Sequence, residues 1–95
     1  APRGTKCEAI IGIIGEAEEL MDEATDDMTR DAAMISAVQA MHHYEMTRFG
    51  TLASWSNLLG HSDVAKEMAD NMDAAEKADK KLNKLAESRV NKKAA

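Results

Sequence analysis

The sequence predicts an all-α fold, a ferritin-like antiparallel helical bundle to which this chain contributes three helices. Three observations carry that prediction. The composition is rich in Ala, Met, Glu, Asp and Lys, holds only one Trp, one Tyr and one Phe, and has a single proline, Pro2, which favours helix over sheet. Apolar residues recur at alternating spacings of three and four, which keeps them on one face of a helix. Two short breaks, one acidic and one around Gly60, divide the periodic run into three parts.

The first helix is expected over about 6–24. Thr5 and Glu8 have the spacing of a capping box, in which hydroxyl and carboxylate satisfy each other's backbone donors. The apolar face reads Cys7, Ile10, Ile14, Ala17, Met21, widened by Ile11, Ile13 and Leu20. Gly12 and Gly15 weaken this helix by ~1 kcal/mol each relative to Ala and leave room for a neighbour to approach. Ala24 to Thr29 carries two adjacent aspartates and forms the connection.

The second helix is expected over about 30–59, capped by Thr29 or Asp31 and stopped by Gly60. Thirty residues at the α-helical rise give ~45 Å, which is long for so small a chain and calls for long partners. The third helix follows Ser62, a good N-cap, and runs over about 62–90 before the Lys92, Lys93 tail frays. Gly60-His61-Ser62 is a short connection, and short connections make antiparallel neighbours.

Ninety-five residues form one domain that buries only ~60 to 65% of the surface its unfolded form exposes, so a partner subunit or a bound ion would help. The chain begins with Ala rather than Met, which points to processing or to a piece of a longer protein. A formal charge of −5 argues against general nucleic-acid binding. The lysines gathered between Lys77 and Lys93 alternate with Asp79, Glu87 and apolar residues, and read as a solvated helix face. The lone Cys7 excludes an internal disulfide and fits a reducing, cytoplasmic setting; as a packed thiol it is expected to be inert. No apolar run approaches the ~20 residues needed to span a bilayer, so no membrane partner is expected.

Three ionisable side chains interrupt the apolar stripes. The second helix carries Ile35, Val38, His42, Glu45, Phe49, Leu52, Ser56 and Leu59 on one face, and the third carries Met68, Met72, Ala75, Asp79, Leu82 and Ala86. His42, Glu45 and Asp79 stand where the pattern is otherwise apolar, with Glu76 one turn before Asp79. Charges on a core face are costly unless they are paired or hold a metal.

Folding the last two helices into a hairpin about His61 sets residues equally far from the turn at one height. Glu45 is sixteen positions before His61 and Asp79 eighteen after; Glu76 is fifteen after and His42 nineteen before. All four then lie within about two turns along the axis. Helical bundles build metal sites from carboxylates and histidines on facing helices, often as i, i+3 pairs, and here those pairs are His42 with Glu45 and Glu76 with Asp79. Such a donor set suits iron or manganese, and zinc less well. The other reading is a polar network without metal, in which His42 pairs with Glu45 or Asp79 and Arg48 or Lys77 joins. His43 points away from the stripe and is expected at the surface, His61 in the turn, Tyr44 beside the core, and the seven methionines in it.

Cys7-Glu8-Ala9-Ile10, His42-His43-Tyr44-Glu45-Met46 with Phe49-Gly50-Thr51-Leu52, the Leu59-Gly60-His61 turn, and Asp79-Lys80-Lys81-Leu82 through Leu85-Ala86-Glu87-Ser88 together resemble the YciE/YciF-type ferritin-like family over nearly the whole chain. The resemblance implies a stress-related helical bundle able to hold a two-metal carboxylate site, with Glu45 and Asp79 at positions of the family pattern and no established reaction. The chain departs from that pattern at His42, where the family carries glutamate, at Ala74 and Ala75, where it carries acidic residues, and at Glu76, where lysine is commoner. The resemblance also implies two further helices on the N-terminal side, with half of the ligands. A companion chain supplies them, two copies of this chain associate as a homo-oligomer, or the chain is part of a longer protein.

Two functions therefore compete. One is an iron- or manganese-binding bundle using Glu45, Asp79, His42 and Glu76. The other is a structural assembly module whose polar cluster sets register without metal.

Overall fold

A computed structural model of the chain describes residues 5–95. It contains α1 (Glu8–Glu23), α2 (Asp27–Leu58) and α3 (Ser62–Leu85), with α3 running through one wide π turn (Ala86–Val90) into a last α-helical turn, α4 (Asn91–Ala94). The three helices expected from periodicity are present, and the described residues contain no strand. The molecule measures 51 × 31 × 19 Å, its long dimension set by α2.

The boundaries differ from expectation where local hydrogen bonds decide them. Helix α1 starts at Glu8 with Cys7 as an N-cap that makes no side-chain capping bond, so the Thr5–Glu8 box does not form. Helix α2 starts three residues early because Asp26, not Thr29 or Asp31, is its cap. The Asp26 carboxylate accepts from the Thr29 backbone N–H and from the Thr29 hydroxyl, each at 2.8 Å. The cap of α3 is His61 rather than Ser62, again without a side-chain bond. Helical structure continues to Ala94 instead of fraying after Val90.

Gly60 does end α2 as expected. Its φ of +82° lies in the left-handed region, its N–H donates to the Asn57 carbonyl, and the His61 N–H donates to the Ser56 carbonyl at 2.8 Å. That pair of bonds is the Schellman arrangement, which satisfies carbonyls the helix leaves open and reverses the chain.

The reversal lays α3 antiparallel along α2. Two contacts fix the register. His43 and Asp79, eighteen positions on either side of His61, touch. Gly50 and Met72, eleven positions on either side, approach so closely that a Cβ on Gly50 would stand 3.1 Å from the Met72 sulfur. The close approach expected at Gly12 and Gly15 occurs at Gly50 instead, since nothing lies within 4 Å of the space a Cβ would take at either α1 glycine.

Helix α1 packs on the opposite side of α2 and does not pack on α3. Arg30 fastens its end: Nε donates to the Met21 carbonyl at 3.2 Å, Nη2 to the Ala24 carbonyl at 3.3 Å, and Nη1 pairs with Asp27 at 2.8 Å. A guanidinium thus serves the last open carbonyls of α1. At the other end of α1, the Cys7 thiol lies 3.3 Å from the Tyr44 hydroxyl. Helix α1 therefore runs beside the first half of α2 only.

Three helices joined side by side through α2 make an open layer rather than a closed bundle. The buried core consists of Ala65, Ala75 and Ala86, all on the α3 face, and no large side chain is fully buried. The methionines expected in the core are half-buried, and Met34 is exposed. Leu52 and Leu59, expected on the core stripe of α2, are exposed too, because the stripe runs past the start of α1 while α3 lies on the other flank.

Candidate functional site

The polar residues predicted to interrupt the core sit midway along α2 and α3, and the hairpin register brings only some of them together. Asp79 is well shielded, its side chain 13% exposed. It meets His43 rather than His42: the His43 Nε2 lies 2.9 Å from Asp79 Oδ2. His43 is at the surface as expected, its side chain 66% exposed, yet it reaches across the helix pair. The signal for this was its matched distance from His61, which the stripe pattern obscured because His43 lies one position off it.

The predicted residues differ in how well their needs are met. His42 Nδ1 and Asp79 Oδ1 are both buried and have no hydrogen-bond partner. Native proteins seldom leave such atoms unmet, so each marks a place where something is missing or stability is given up. Glu45 is half-buried on α2. Glu76 is not drawn into the cluster; it is exposed and pairs with Lys80 at 3.2 Å on its own helix. Tyr44 turns to Cys7 instead of to the cluster and carries Arg48 above its ring, with the guanidinium carbon 5.2 Å from the centroid.

A metal ion needs several of these donors at one point. Among the described residues no three His, Cys, Asp or Glu side chains converge closely enough to hold one. The donors of a single chain therefore do not fit a metal ion by themselves, although two of them present unpartnered buried atoms.

The expectation of an inert packed thiol is corrected at Cys7, which is exposed. The Tyr44 hydroxyl, followed by the Ile10 backbone N–H, holds the Cys7 thiol below its ordinary pKa of 9.0, since hydrogen bonds to a thiolate favour the charged form.

Besides the polar cluster, the molecule presents apolar recesses. One lies between α1 and α2 over Ile14, Ala17, Met34, Val38 and Met41. A second lies between α2 and the end of α3 over Ile35, Val38, Leu82, Leu85 and Val90. They share Met34 and Val38, so together they form one trough along α2 between its two neighbours. At the hairpin tip Trp55, Leu58 and Leu59 project, 59%, 82% and 74% exposed.

This architecture, a long helical hairpin flanked by one shorter helix, defines a helical-bundle protein with an open side. Residues 1–95 match the family described as Domain of unknown function (DUF892), and the chain belongs to that family. It is 40% identical over 89 residues to Protein YciF of Escherichia coli (strain K12), a match covering 94% of this chain and 54% of that protein. It is also similar, with a TM-score of 0.82 and 41% identity, to the solved structure of YcfI from Rhodopseudomonas palustris, to which a structural role has been ascribed. That match covers 86% of this chain and 52% of the other. The resemblance drawn from the sequence motifs is thereby borne out, and the chain spans about half the length of the relatives it matches. No helix among the described residues is long and apolar enough to cross a membrane.

Proposed function

We propose that this chain is a structural assembly module, a partial helical bundle that acts by docking its open side onto further helices. The observation that carries this reading is the poverty of its own core. Only three alanines are buried, while Trp55, Leu58, Leu59 and Met34 stand in solvent beside a trough lined by Ile14, Val38 and Met41. Exposed apolar surface on this scale marks an interaction site. The structural role ascribed to the Rhodopseudomonas relative supports the same reading.

A second reading is favoured by one specific observation, the two buried atoms without partners at His42 Nδ1 and Asp79 Oδ1. In a completed assembly these two residues and Glu45 would supply donors for an iron or manganese ion, as in a ferritin-like bundle, with the remaining donors coming from the added helices. Glu76, tied to Lys80, is the least suited of the four predicted ligands.

The mass of the native assembly, measured together with its metal content, separates the two. An oligomer with no bound metal, whose mass does not change in chelator, supports the assembly module. Stoichiometric iron or manganese that is lost in Glu45→Ala with Asp79→Ala supports the metal centre. A cooperatively folded monomer without metal refutes both.

A further inference from the structure

The assembly reading leaves open what covers the trough, and α2 itself carries the answer in its sequence. Met34, Val38, Met41, Glu45, Arg48, Leu52, Trp55 and Leu59 follow one another at spacings of four and three. Strict alternation of that kind is the seam of a coiled coil, a narrow row made to meet another helix. This row is distinct from the one that faces α3, and most of it is open: Met34, Arg48, Leu52, Trp55 and Leu59 are exposed, and Val38, Met41 and Glu45 are half-buried.

The row is also complementary to itself when read backwards. Its ends are apolar and its two central members, Glu45 and Arg48, carry opposite charges. Its first half lies in the recess between α1 and α3, and its second half projects beyond the start of α1 as the Leu52, Trp55, Leu59 ridge. Recess and ridge stand at opposite ends of one helix.

We propose that α2 pairs antiparallel with α2 of a second copy of this chain, about a two-fold axis between Glu45 and Arg48. The proposal rests on the assembly reading and specifies its partner. Glu45 then faces Arg48 of the partner subunit, Met41 faces the partner's Leu52, Val38 faces the partner's Trp55, and Met34 faces the partner's Leu59. Each ridge enters the other copy's recess, the isologous arrangement that a two-fold axis requires. Arg48 is steadied for this role by the Tyr44 ring beneath it.

The surface area agrees. A compact monomer of 10.3 kDa is expected to expose about 5,400 Å², whereas this chain exposes 7075 Å². The surplus, about 1,700 Å² per chain, exceeds the ~800 Å² per partner of an ordinary stable interface. The radius of gyration, 16.4 Å, likewise exceeds the ~12 Å of a compact domain of this length.

Charge reversal tests the pairing on the whole chain. Sedimentation of the wild-type protein over a concentration series should give a dimer. Glu45→Arg and Arg48→Glu, which set like charges against each other, should each raise the dissociation constant by at least ~10-fold, and the double reversal should restore it. Leu59→Lys, at an exposed residue that the monomer fold does not need, should weaken the dimer by a similar factor or more. Helix content by circular dichroism reports that the variants remain folded.

A dimer indifferent to all four changes overturns the proposed seam while leaving the assembly reading intact. A wild-type chain that stays monomeric overturns self-pairing. If that monomer gains mass only when companion helices from a longer relative are added, those helices are the occupant; if it gains none and melts cooperatively, the assembly reading falls as well.

Discussion

The two flanks of α2 are built from different materials. Toward α3 the contact residues are small: Gly50 against Met72, and Ala65, Ala75 and Ala86 buried on the facing helix. Small residues let backbones come close and fix register, because any larger group collides. Toward the open side the residues are large and unmatched, with Met34, Leu52, Trp55 and Leu59 exposed. The first flank is a finished interface within the chain, and the second has the composition of an interface waiting for a partner. The difference teaches that a chain this small can define a hairpin exactly where its side chains are least bulky and leave most of its apolar area for use between molecules.

The sharpest way to break this comparison is to put bulk on the finished flank. Ala75 is 8% exposed, so Ala75→Leu adds three carbons where no space exists. Overpacking of this kind typically lowers stability by about 1 to 3 kcal/mol, and chemical denaturation should show a loss in that range. The same exchange at an exposed α3 alanine, Ala74→Leu, should change stability by less than ~0.5 kcal/mol.

A smaller effect of opposite sign is expected within the hairpin at Asp79. One of its oxygens accepts from His43 when that ring nitrogen carries its proton, while Oδ1 is buried without a partner. In metal-free buffer Asp79→Leu removes a buried unmet atom and adds apolar area beside Leu82, and should stabilise the chain by about 1 kcal/mol. A loss of stability of that size instead would show that the His43 contact outweighs the orphaned oxygen.

How much of this was legible in the sequence depends on the range of the interaction. The helices and the hairpin were readable because periodicity and the Gly60 turn are local signals. The height of the polar cluster was readable because a short turn makes residues equidistant from His61 neighbours. The side of approach was not. His43, rather than His42, reaches Asp79, since α3 lies to one side of the α2 stripe and not over its centre. The exposure of Leu52 and Leu59 was also hidden, because it depends on where α1 begins along α2, a tertiary fact. Arg30 was overlooked for the same reason: its role arises only once the end of α1 lies within reach.

The junction between α1 and α2 gives the comparison a chemical readout. Cys7 and Tyr44 meet at the start of α1, where the hairpin's covered half gives way to its bare half. Tyr44→Phe removes the leading cause of the lowered Cys7 pKa, so the pH at which alkylation of the thiol reaches half its maximal rate should move upward, toward 9.0. An unchanged profile would mean that the Ile10 backbone and Arg48 suffice, and that α1 is not held to α2 through this pair.

The smallest expected effect lies at the opposite end of α1, at Asp26. The Thr29 backbone N–H, and then the Thr29 hydroxyl, hold the Asp26 carboxyl below its ordinary value of 3.8. A carboxylate whose pKa is depressed on folding binds fewer protons folded than unfolded near that value, so stability rises with pH there. Its contribution is fully present above about 3.8 and is lost as the pH falls from there through the lower, folded value. Asp26→Asn keeps a capping oxygen but cannot titrate. The stability difference between wild type and Asp26→Asn should therefore be constant at neutral pH and should shift against the wild type only in strong acid. Asp26 is exposed and screened by solvent, so this acid step is the smallest change anticipated. A wild-type chain and an Asp26→Asn chain that lose stability in parallel throughout that acid range would show that the cap acts by geometry alone, without help from the charge.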